Sequence, residues 1–223
     1  MGPVIGDILP LALGVAISPV PIIAVILMLL SPRARATSVG FLVGWIVGVT
    51  VVVTLVTLLV NPADSSDPSE PSMVVTWLKI LLGLAAIGLG VKEWRGRPTG
   101  DQPGTLPEWM SSIDQMTPVK AVGLAALLAG VNPKNLTLCL AGGLVIGGAD
   151  LSVEETVLVI ALFVVIASCT VAVPVLGYLV ARERMAKPLD DLRDWLTDNN
   201  AAVMSVLLLV IGTVIFGKGL AGL

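Results

Sequence analysis

This chain has no histidine. That absence removes imidazole-based zinc sites, catalytic triads and histidine proton relays together. Cysteine is almost as scarce: Cys139 and Cys169 both lie inside apolar runs, so no framework of secreted-type disulfides is expected. Charge is short too. Asp, Glu, Lys and Arg make up 13% of the residues, about half the share of a soluble globular domain. No basic patch is interleaved with aromatics, so nucleic acid is not an expected partner. The N-terminal apolar run lacks a basic flank and carries Asp7 instead, with Arg33 and Arg35 only after it. It reads as a retained first span rather than a cleaved signal peptide.

What the sequence has is apolar length. Hydrophobic residues make up 56% of the 223, and the mean hydropathy is +0.97. Several runs reach the roughly 20 residues that a helix needs to cross hydrocarbon. The expected fold is an all-α integral membrane protein, a single transmembrane domain over 1–223, with six transmembrane helices at 4–30, 37–60, 73–94, 118–147, 153–181 and 200–221. Ten of the thirteen basic residues fall in the first, third and fifth connections, and none in the second and fourth. The Lys/Arg bias makes the odd connections cytoplasmic and both termini extracytoplasmic. Lys79 and Lys218 lie near span ends, where long side chains snorkel to water. Residues 188–199, "PLDDLRDWLTDN", read as a short surface helix with Leu189, Leu192, Trp195 and Leu196 on one side. Trp94, Trp109 and Trp195 fit one interfacial belt and Trp77 the other.

Lys134 is the basic residue that does not fit. It belongs to "GVNPKN", in the middle of the fourth span. Proline inside a helix removes an N–H and clashes with the carbonyl four residues back. Asn132 before Pro133 is also a helix-start signature. The first span carries a matching break, "ISPVPI", with Ser18 before Pro19 and then Pro21. The third and sixth spans share a glycine spacing, Gly83 and Gly88 against Gly212 and Gly217. These matches predict two inverted three-helix repeats, 1–94 and 118–223, joined by a cytoplasmic loop over 95–117, with the first and fourth helices broken at proline. Interrupted spans at matching places of inverted halves point to a substrate site.

Two half-helix N-termini meeting at the centre favour an anion. Lys134, Asn132, Asn135 and Ser18 are the expected substrate-binding residues. The alternative is structural: Lys134 bonds carbonyls freed at the break. Thr50, Thr54, Ser168 and Thr170 are candidates to line the cavity, with Pro174 kinking the fifth span. Gly40, Gly44 and Gly48 form a small-residue stripe for a dimer face or an internal seam. Asp7 is a gate or ion site, or else a solvated end residue. No catalytic constellation, metal site or cofactor is expected.

With "SPVPI" at 18–22, "PRAR" at 32–35 and "NPKN" at 132–135, the chain resembles the lysine exporter (LysE) superfamily. It is most similar to the GAP branch, the peptidoglycolipid- or sulfolipid-addressing (Sap-like) proteins of actinobacteria. The resemblance covers nearly the whole chain. It implies an inner-membrane exporter built from paired three-helix repeats, often a homodimer, that brings cell-envelope glycolipid to the surface beside larger lipid-export machinery. The core lacks carboxylates, which fits an anionic lipid headgroup better than a cationic substrate. Two other readings within this family are an exporter of a small solute such as an amino acid and a non-transporting scaffold. The thiol-electron carriers related to this superfamily pair membrane cysteines, one in each half, and here both cysteines lie in the second half.

Overall fold

The computed structural model describes residues 1–60, 73–97 and 108–222, and every regular element among them is helical. The chain runs through α1 (Gly2–Ala16), α2 (Pro19–Leu30), α3 (Ala34–Leu59), α4 (Met73–Arg95), a 3₁₀ helix (Glu108–Gln115), α5 (Pro118–Gly130), α6 (Pro133–Gly147) and α7 (Val153–Leu220). The acidic connection and the middle of the long third connection lie outside the described residues. By length and composition three helices are able to cross a membrane, or five if each bent pair counts as one span. This is a multi-pass membrane protein.

Both expected breaks are present. α1 and α2 meet at 49°, α5 and α6 at 65°. The local cause is the residue ahead of each proline, which proline forces out of the helical region. Ser18 sits at φ −91°, ψ 110° and Asn132 at φ −61°, ψ 119°, both extended. Proline alone does not break a helix here, since Pro10, Pro174 and Pro188 lie within helices.

α7 differs from the expected fifth span, surface helix and sixth span. Helical bonding runs from Val153 to Leu220 and is interrupted in dihedral angle at Ala181, φ −140°, ψ 56°. A straight helix would place Thr170 and Ile211 about 60 Å apart. Yet Thr170 bonds the carbonyl of Ala16, and Ile211 packs against Gly14. The chain therefore doubles back at Ala181, giving two limbs that both touch the end of α1. Residues 188–199 belong to the returning limb. Only part of their expected apolar face packs inward: Leu189 and Leu196 are buried, whereas Leu192 and Trp195 are exposed. Heptad spacing aligns the first two, and the other two fall off that line. Trp109 packs half-buried against the core beside the buried Met110 and Ile113.

The helices close on glycine. Gly40, Gly44 and Gly48 of α3 face the backbones of Pro118, Val122 and Ala126 in α5, so the stripe is an internal seam. Gly83 of α4 faces the backbone of Phe216, while Gly212 and Gly219 face Ile87 and Ile80, which seals α4 to the returning limb. Close backbone approach of this kind is how membrane helices gain packing without a hydrophobic driving force. Trp45 fills the centre fully buried, and its indole N–H donates to Ala167 O at 3.2 Å.

Gly44→Ala should therefore destabilise the protein by about 1–3 kcal/mol, because the new methyl meets backbone that must move. Gly123→Ala, which meets nothing within 4 Å, should be neutral or stabilising. Thermal unfolding of both variants in detergent checks the contrast, and equal melting curves would contradict the seam.

Candidate functional site: the crossing of two helix breaks

A helix end leaves carbonyls without intrahelical partners, and hydrocarbon supplies none. At the α1 break, Ala16 O accepts from Thr170 Oγ at 2.5 Å and Ile17 O accepts from Lys134 Nζ at 3.3 Å. At the α5 break, Leu128 O accepts from Asn135 Nδ2 at 3.1 Å. The first turn of α6 thus serves both breaks, Lys134 reaching across to one and Asn135 back to the other. Sequence reading set the structural and binding roles of Lys134 against each other. The geometry gives it a carbonyl contact and leaves further donor capacity, because an ammonium carries three N–H groups.

The caps also differ from expectation in part. Asn132 Oδ1 accepts from Lys134 N at 3.1 Å, a true N-cap. Ser18 occupies the N-cap position of α2, but its side chain makes no cap bond. Its hydroxyl is instead buried and has no partner among the described residues, and the same holds for Asn135 Oδ1 and Ser168 Oγ. A buried polar atom without a partner costs about 1–3 kcal/mol. Ser18 and Asn135 adjoin the two breaks, and Ser168 lies two residues before Thr170 on α7. Lys134 is only 2% exposed, and among the described residues no carboxylate pairs with it. The crossing is polar, nearly dry and positively biased by two helix N-termini.

The other candidates separate. Thr170 reaches the crossing through Ala16 O, whereas Ser168, two residues before it on α7, is buried and makes no side-chain hydrogen bond among the described residues. Thr50 bonds Ile46 O of its own helix at 2.7 Å, the usual fate of a hydroxyl in a membrane helix, and Thr54 is half-buried along α3. Pro174 is buried within the first limb of α7. Thr57, near the far end of α3, donates to Gly143 O at 3.4 Å. Cys139 is buried and Cys169 half-buried, and both are free thiols. Asp7 pairs with Lys218, and with Lys79 they line a cleft between α1, α4, α6 and the returning limb. That cleft measures about 20 Å³, room for about one water. Sequence reading had treated Lys79 and Lys218 as separate snorkelling residues, since nothing in the spacing joins them to Asp7.

A protein-family model described as Sap, sulfolipid-1-addressing protein, matches residues 8–221. The chain belongs to this family. The matched range contains both breaks, so the crossing lies within the part of the chain that defines Sap membership. Searches of curated proteins and of solved structures return no match.

Asn132→Ala should cost this Sap-family chain about 0.5–2 kcal/mol through the lost cap. Ser18→Ala should cost nothing measurable, because it removes a hydroxyl without a partner. Guanidinium or thermal melts of the two variants decide this, and a larger loss for Ser18→Ala would show that the hydroxyl is engaged.

Proposed function

We propose that the protein is an exporter that carries an anionic lipid or lipid-like substrate from its basic face to the opposite side by alternating access around the two breaks. The carrying observation is the crossing itself. A buried lysine links the two breaks, and the buried Ser18 hydroxyl beside one of them has no partner among the described residues. Unsatisfied donors of this kind leave free energy for a transient occupant to gain. The family's name supports this cargo class: it describes addressing of a sulfolipid, an anionic amphiphile. Lys134, Asn135, Ser18 and Ser168 would meet the anion, with the N-termini of α2 and α6 adding their dipoles.

The same reading takes the fold as two inverted three-helix repeats making six crossings. In its support, the two bent pairs occupy matching places, and α4 packs against the returning limb of α7, its repeat counterpart. The Asp7–Lys218 pair would be the contact that opens on the far side. Rocking of one repeat against the other would break it and release the occupant.

Purified protein reconstituted in liposomes should move a fluorescent phosphatidylglycerol between leaflets, read by dithionite quenching. Ser18→Ala should slow this movement about tenfold with an unchanged melting temperature, the loss of one charge-coupled contact. Lys134→Met should abolish it. Wild-type movement in a folded, inserted Lys134→Met variant would rule out the crossing as the substrate site.

A further inference from the structure

The turn between α2 and α3 and the corner of α7 enclose a second cavity, separate from the crossing. It measures about 450 Å³ and is lined by Pro32, Arg33, Arg35, Tyr178, Leu179 and Arg182, together with the first turn of α3. Three arginines converge on it from sequence positions almost 150 residues apart. Arg182 follows directly on the non-helical Ala181, so the doubling-back of α7 brings its guanidinium to this place. It lies over the ring of the buried Tyr178 at 5.5 Å from the centroid. Among the described residues, none of the three arginines is ion-paired. The N-terminal turn of the 26-residue α3 forms part of the wall and adds positive potential. Unpaired guanidinium groups around a concave, part-apolar wall have the geometry for a tetrahedral oxyanion.

An exposed apolar track ends at the same cavity. Val173, Leu176 and Val180 share one face of α7 and are 64%, 56% and 89% exposed. Leu179, next to Val180, and Arg182 line the wall. A chain lying on that track would put its polar end among the arginines.

We propose that this recess is a binding site for a phosphate or sulfate group, filled by the headgroup of an anionic amphiphile whose acyl chain lies along Val173, Leu176 and Val180. Its place as the loading station for export rests on the exporter reading above; the binding itself does not.

The full chain is tested by native mass spectrometry from micelles doped with dioleoylphosphatidylglycerol or dioleoylphosphatidylcholine. Thermal melts are run in parallel in sodium sulfate and in sodium chloride of equal ionic strength. The wild type should retain the phosphatidylglycerol and release the phosphatidylcholine. The double variant Arg33→Gln with Arg182→Gln should lose about tenfold in retention, as for removal of charge-assisted contacts, while Arg184→Gln, outside the wall, should not. Should the double variant be unstable, Arg35→Gln alone carries the same expectation. Sulfate-specific stabilisation that disappears in the variants would identify a free oxyanion as sufficient; retention of lipid without a sulfate response would identify the amphiphile. The proposal fails if the variants retain lipid and respond to sulfate as the wild type does, or if the wild type responds to neither probe. Arginine-dependent binding in a protein that moves no lipid in liposomes would leave the recess standing and overturn the exporter reading alone.

Discussion

The structure depends on one constraint: a carbonyl exposed by a helix break inside hydrocarbon has to find a donor. The first break exposes Ala16 and Ile17, and the donors come from Thr170 on α7 and Lys134 on α6. The second exposes Leu128, and Asn135 turns back to meet it. These bonds fix the relative positions of α1, α5, α6 and α7 before any packing is considered. Glycine seams then bring the remaining helices in. Lys134 is tolerated because its long side chain carries an N–H donor from α6 across to Ile17. An apolar replacement would leave the carbonyl bare.

The sequence shows the breaks plainly, since proline after a capping residue is a local signal. It shows Asn132 as a cap for the same reason. Ser18 has the same local signature and no cap bond, because tertiary surroundings rather than neighbours decide where its hydroxyl points. The 188–199 segment looks amphipathic by the spacing of Leu189, Leu192, Trp195 and Leu196, but which of them pack inward is set by α7's return at Ala181. Alanine at that position gives no sign of a corner. The recess is illegible for a different reason. Arg33, Arg35 and Arg182 read as ordinary loop charges until the corner joins two distant turns. Thr50 resembles Thr170 in type and depth, and only the fold shows that one bonds its own helix and the other a neighbour.

The two ends of the molecule are unequal. On one side, Asp7 and Lys218 close a cleft with room for about one water. On the other, the arginine recess is open to about 450 Å³. The polar crossing lies between these regions along α1 and α7. Its polar groups are partly satisfied by protein and partly left over, which gives an occupant something to gain without making the empty protein unstable. An ion pair is a suitable closure at a water-facing end, because either partner can be resolvated at modest cost when the helices part. The same pair placed at the crossing would lock it.

The donor for Ile17 is made late. Lys134 follows it by 117 residues, and at about 5–20 residues per second the ribosome takes on the order of ten seconds to supply it. Thr170 comes later still. Throughout that interval the first half of the chain holds an open helix end with no permanent partner. The first break therefore has to wait near water, or against the insertion machinery, until α6 arrives, and the order of synthesis makes the second half of the protein the folding template for the first.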